Sequence, residues 1–153
     1  MLSDEIFKIS IPSDNDGFIV IKCSICNEKF MIQIEDANDD SLIDIWCPRC
    51  GLKSDNYLDD DVNNLAENII QNYVTDLLNN FSNDIERVFK SNKNIQFKSS
   101  KKLAKASEIP IGRKVGDFEE KKYLCCDKVV KLRTTTKFEG GYCPFCGELV
   151  DGD

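Results

Sequence analysis

Cys23-Ser24-Ile25-Cys26-Asn27, followed after a 20-residue interval by Cys47-Pro48-Arg49-Cys50-Gly51, decides how this chain is read. A Cys-x-x-Cys turn lets two thiolates converge on one cation while backbone N–H groups turn toward the sulfurs. Two such turns complete a closed tetrahedral shell of four sulfurs, which suits Zn2+ and leaves no open position for catalysis. The residue after the second cysteine often needs a positive φ, and the two most tolerant residue types, Gly51 and Asn27, stand there. Working outward, Gly17-Phe18-Ile19-Val20-Ile21-Lys22 reads as a strand entering the first turn. Lys29-Phe30-Met31-Ile32-Gln33-Ile34 alternates well enough for a second strand, and an acidic loop from Glu35 to Asp44 leads to Ile45-Trp46 and the second turn.

The far end of the chain repeats this pattern. Lys122-Tyr123-Leu124-Cys125-Cys126-Asp127-Lys128 precedes the strand-like Val129-Val130-Lys131-Leu132-Arg133, and Gly140-Gly141-Tyr142 leads into Cys143-Pro144-Phe145-Cys146-Gly147. The interval between the cysteine pairs is 16 residues. The departure is the vicinal pair. Aligning Cys126 with Cys26 puts Asp127 on Asn27 and Tyr123 where Cys23 would be. Adjacent residues of a strand point apart, so ligation by both Cys125 and Cys126 demands a bent backbone. The alternatives are three cysteines completed by Asp127 or a water, a ligand from a partner, or no stable metal.

These knuckles, above all the Cys-Pro-x-Cys-Gly form at Cys47 and again at Cys143, resemble the zinc-ribbon superfamily, whose members recur in transcription factors, polymerase subunits, primases and small adaptors. The resemblance implies fold and metal, not function. The metal ligands are then Cys23, Cys26, Cys47 and Cys50 at one site, and Cys125, Cys126, Cys143 and Cys146 at the other. Rubredoxins share these turns and hold iron, which keeps Fe as an alternative at the first site.

Composition narrows the classes. With 153 residues the chain is one ordinary domain or two very small ones, and very small ones need a metal or disulfides to fold. Met1-Leu2-Ser3-Asp4-Glu5 lacks a basic n-region followed by an apolar h-region, which predicts a cytoplasmic chain. There, paired cysteines bind metal more often than they form disulfides or serve redox chemistry. Without histidine, no Ser-His-Asp triad, Cys-His pair or His-ligated zinc can be built. Abundant Asn, Lys, Ile and Asp point to an AT-rich bacterial or phage genome. The net charge of −7 conceals a split: residues 1–86 hold 18 acids against 5 bases, and residues 87–153 hold 9 against 15.

Asp59 to Ser91 reads as helix. Val62, Leu65, Ile69, Tyr73 and Leu77 form one row, with Ala66, Ile70, Val74 and Leu78 beside it. Asn79-Asn80 and the cap-like Ser82-Asn83 favour a break into helices of about 60–80 and 83–91. The apolar stripe is either core packed on the ribbons or a surface for a partner or a second copy. Asn92 to Lys105 reads as a solvated, lysine-rich linker. The expected fold is α+β, two small antiparallel ribbons joined by one long or two consecutive helices. Its parts are a first ribbon (1–57), a helical connector (58–92), a basic linker (93–107) and a degenerate second ribbon (108–153).

Three functions compete. A protein–protein adaptor would use the acidic ribbon and the amphipathic helix. A nucleic-acid accessory factor would contact phosphates through Lys93, Lys98, Lys101, Lys102, Lys105, Lys128, Lys131, Arg133 and Lys137. A thiol or open-zinc enzyme centred on Cys125 and Cys126 is the least favoured. The expectation is an adaptor without catalysis, off the membrane, with a protein partner.

Overall fold

The computed structural model describes residues 8–98, 101–114 and 116–152. The leader expectation drawn from Met1 to Glu5 lies outside them. The class is α+β. Along the chain run β1 (Phe18–Lys22), β2 (Lys29–Gln33), α1 (Ile34–Ala37), α2 (Asp60–Phe89), β3 (Phe118–Tyr123), β4 (Lys128–Arg133), α3 (Thr134–Glu139), β5 (Gly141–Tyr142) and β6 (Leu149–Val150). Two compact units result, one from Ser10–Val62 with Ile111–Asp153 and the other centred on Asn63–Pro110.

In the first unit both ribbons contribute to one antiparallel sheet, ordered β1-β2-β4-β3. The β1–β2 hairpin pairs Phe18 with Gln33 and Lys22 with Lys29, and β3–β4 pairs Phe118 with Arg133 and Tyr123 with Lys128. The two hairpins therefore share one register at an offset of 100 residues (18 to 118, 33 to 133). They join where Phe30 meets Leu132 and Met31 meets Lys131. Residues 31 and 131 are equivalents, so their direct pairing places a pseudo-two-fold axis between them.

Period-two alternation sorts the side chains. Ile21, Phe30, Ile32, Tyr123, Val130 and Leu132 are buried together on one face with Cys143. Phe18, Val20 and Met31 fill the other, flanked by Phe118 and Val129. Lys131 stands where the repeat has Met31. Its ammonium lies 4.6 Å from the centre of the Phe18 ring and is held by Asp14 (2.5 Å) and Asp16 (2.8 Å). Its stem thus covers apolar surface while its charge is paired. At the sheet edge, the exposed Glu119, Glu120 and Lys122 of β3 discourage pairing with a further strand.

From Asn63 onward α2 belongs to the second unit, and it is a single 30-residue helix, which corrects the preference for a break near Asn80. Asparagines weaken helices by turning their side chains onto their own backbone, and at Asn68, Asn72 and Asn79 the partners lie elsewhere. The Asn79 carboxamide accepts from the Leu103 N–H (3.0 Å) and donates to the Leu103 carbonyl (3.2 Å). Asn72 grips Ala106 in the same way, at 2.7 and 2.9 Å, and Asn68 donates to the Ser107 carbonyl. Seven residues of helix rise about 10.5 Å and three residues of extended chain span about 10 Å, so the two spacings match. Only the end of the expected solvated linker takes part in this strap, with Lys105 paired to Asp76 (2.6 Å), while residues 92–98 are exposed.

Candidate metal centres

The two halves of each centre come from different local structures. The first pair of each ribbon lies in a hairpin turn, and the second in a knuckle closed by short-range backbone bonds. In the first ribbon Cys23 N–H donates to the Glu28 carbonyl and Asn27 N–H to the Cys23 carbonyl. Cys47 and Gly51 make the corresponding bonds to Leu52 and Cys47, repeated at Cys143 and Gly147 with Glu148 and Cys143. Asn27 and Asp127 both have positive φ, 62° and 52°, as do Gly51 (69°) and Gly147 (75°). The anticipated left-handed positions are therefore all present.

Cys23, Cys26, Cys47 and Cys50 bring their sulfurs within 4.8 Å of one another, and so do Cys125, Cys126, Cys143 and Cys146. None is in a disulfide. The Sγ separations of 3.8 Å (Cys23–Cys50), 3.5 Å (Cys26–Cys47) and 3.6 Å (Cys125–Cys146) are close to the roughly 3.8 Å edge of a tetrahedron with metal–sulfur bonds of about 2.3 Å. Each set could hold one metal ion, and the arrangement is consistent with a zinc-ribbon-like motif.

Both vicinal cysteines reach the cluster because the two ribbons share one hairpin register. Tyr123, 2% exposed, occupies the position equivalent to Cys23 and fills it with a packed ring. Leu124 to Asp127 form the turn, and within it Cys125, in the place of Ile25, turns its sulfur to the cluster. Asp127 does not join: its carboxylate pairs with Lys122 at 2.7 Å. The ammonium beside it holds that carboxyl below the usual range.

The electrostatics of the centres differ. Burial alone would raise the Cys23 thiol, but the N–H groups of Cys26 and Ile25 reverse this and the net shift is downward. Burial pushes Cys47 well up despite donors from Cys50 and Arg49. At the second centre burial, followed by the neighbouring thiols, lifts Cys125 to about 12 and Cys126 to about 11. Such thiols are protonated near neutrality, so a metal must displace protons to bind. Cys23 and Cys47 are fully buried, whereas Cys125 and Cys146 are exposed. A chromophoric chelator should therefore remove the second metal first. The expected trace is a fast phase and a slow phase of one equivalent each, with the fast phase missing in Cys125→Ser. Equal rates at both centres would contradict the difference in enclosure.

No family model, curated protein or solved structure matches this chain. The centres must be interpreted from their surroundings, and those are reciprocal. Trp46 N–H donates to the Pro144 carbonyl, and Tyr142 N–H to the Pro48 carbonyl, both at 2.9 Å. The Tyr142 ring lies over Gly51 and the Trp46 ring over Gly147, each so close that a β-carbon would fall within 2.8 Å of it. Thr136 donates to the buried Glu28 (2.7 Å), and in the equivalent place Lys128 pairs with Asp36. Each knuckle is thus clamped by the other ribbon. Single residues do not announce such reciprocity; the nearest sequence signal was the repeated Cys-Pro-x-Cys-Gly.

Tyr57 was also missed. Its hydroxyl donates to the Ile45 carbonyl (2.5 Å) and accepts from Ser54 N–H, and its ring meets Phe30 edge-on. Burial raises this phenol to about 12.

The candidate phosphate contacts are divided between the two units. Lys128 and Lys131 are engaged with Asp36, Asp14 and Asp16 as described, Lys137 lies 3.5 Å from Glu119, and Lys105 is paired with Asp76. Lys93, Lys98, Lys101, Lys102 and Arg133 have no ion-pair partner among the described residues. No helix among those residues is long and apolar enough to cross a membrane.

Proposed function

We propose that this is a zinc-stabilised cytoplasmic adaptor, with one zinc at each cysteine cluster and protein–protein contact through α2 and the acidic first ribbon. The observation that carries the reading is apolar exposure along α2. Ile70, Val74, Leu77, Phe81 and Val88 face solvent at 46–69% of their area, while the polar side of the same helix holds the strap. A stripe of this kind marks an interaction surface. In the first ribbon the acidic loop adds Ile43, 89% exposed, beside Asp39, Asp40 and Asp44.

All-thiolate sites support structural zinc rather than calcium or magnesium, which prefer oxygen. Four protein ligands per ion leave no place for a substrate, so the clusters serve folding rather than catalysis. The nucleic-acid reading is weakened by the pairing of Lys105, Lys128, Lys131 and Lys137 with acids.

The test uses the intact, metal-loaded chain as bait beside Leu77→Glu. Wild type should capture a protein that the variant loses at unchanged metal content. A fluorescent oligonucleotide titrated across a salt series should show no salt-sensitive binding. Steeply salt-dependent binding, or capture indifferent to Leu77, would overturn the adaptor assignment.

A further inference from the structure

We infer that the exposed face of α2 is the seam of an antiparallel pairing between two copies of this chain, an inference that rests on the adaptor reading and names one partner of its helix. Ile70, Val74, Leu77, Phe81, Asp84 and Val88 follow one another at steps of four, three, four, three and four. This is the alternation of a coiled-coil seam. All but Asp84 are apolar and exposed.

The strap decides which side of the helix is free. Asn68, Asn72, Thr75, Asp76 and Asn79 lie at the heptad positions farthest from that seam, and four of them bond to Leu103–Ser107. Asn72 and Thr75 are more than nine-tenths buried although polar, while the apolar stripe is about half exposed. The intrachain contact therefore covers the polar side and leaves the seam open.

Charge selects a second copy and its direction. Glu67 lies in the N-terminal third of α2, whereas Lys90 follows directly on its end. Parallel copies would set like charges together and place Asp84 against Asp84 in the seam. Antiparallel copies bring Glu67 of each level with Lys90 of the other and oppose the helix dipoles. The layers are then Ile70 with Val88, Val74 with Asp84 and Leu77 with Phe81, each occurring twice by symmetry. Such a surface is self-complementary, as a two-fold interface must be. Burying six large exposed side chains from each copy, Leu78 included, removes on the order of 1,000 Å2, the lower range for a specific interface.

Sedimentation equilibrium of the purified, metal-loaded chain tests this directly. Twice the 17.4 kDa chain mass is expected across the micromolar range, and the chain mass alone for Leu77→Glu with both metals retained. Asp84→Leu should tighten association by about tenfold or more, because it removes a charge from an apolar layer. A photo-crosslinking side chain at position 70 should join the partner near Val88. A chain of single mass, a doubled mass that survives Leu77→Glu, or crosslinking near position 70 of the partner would each overturn the proposal. Single mass together with Leu77-dependent capture of another protein would overturn the self-pairing while leaving the adaptor reading standing.

Discussion

Replacing Cys47 by serine is expected to unfold both ribbons, although it touches only one metal centre. Cys47 is fully buried, and its knuckle is clamped by the second ribbon through the Trp46–Pro144 and Tyr142–Pro48 backbone bonds. Structural zinc sites contribute apparent binding free energies of about 10–16 kcal/mol in small peptides, comparable with or above the roughly 5–15 kcal/mol of a whole domain. A ribbon that loses its ion loses the order of β2, and β2 carries the junction to β4. The variant should bind less than one metal per chain and show no cooperative thermal transition. Cys125→Ser, at the exposed centre, should keep one metal and a cooperative transition. Retention of the second metal with cooperative melting in Cys47→Ser would mean that the ribbons fold independently. Acidification should resemble chelation: the released thiols take up protons, so metal affinity falls as pH falls.

Gly141→Ala should destabilise the first unit by about 3 kcal/mol or more, in the upper range for single substitutions. A β-carbon there would lie 1.9 Å from the Pro48 carbonyl oxygen, and that oxygen accepts the Tyr142 N–H. Because the obstacle is backbone rather than a flexible side-chain tip, relief requires the two knuckles to separate. That movement would break the Tyr142–Pro48 bond and lift the Tyr142 ring from Gly51. Urea unfolding of the metal-loaded protein measures the loss. Gly112→Ala is the control: a β-carbon there meets nothing within 4 Å, so its effect should stay within about 0.5 kcal/mol. Equal midpoints for the two variants would show that the knuckles do not need this close approach.

Both cysteine clusters, the hairpin strands and the left-handed positions after each turn were legible in the sequence, because each depends on residues a few positions apart. The vicinal cysteines illustrate where that reading stops. Alignment of Cys126 with Cys26 placed Tyr123 and Asp127, yet spacing alone left open whether Cys125 or Asp127 completes the set. In the fold the Cys125 sulfur lies within 4.8 Å of the other three, and the Asp127 carboxylate pairs with Lys122. The break expected in α2 was read from Asn79-Asn80 and the cap-like Ser82-Asn83. Of these, Asn79 bonds instead to the backbone of Leu103, 24 residues away.

By itself, then, the sequence determined the two four-cysteine sets that could hold metal, the repeat and the helical middle, since thiol spacing, turn-permissive residues and apolar periodicity act over a few residues. Only the tertiary structure decided that the two ribbons share a sheet about a pseudo-two-fold axis, with each knuckle covered by an aromatic ring from the other. It alone decided that the strap lies on the polar side of α2. The physical reason is the same in each case: β2–β4 pairing, ring-on-glycine packing and asparagine-to-backbone bonds join residues far apart in the chain, and no local pattern specifies which distant partner they meet.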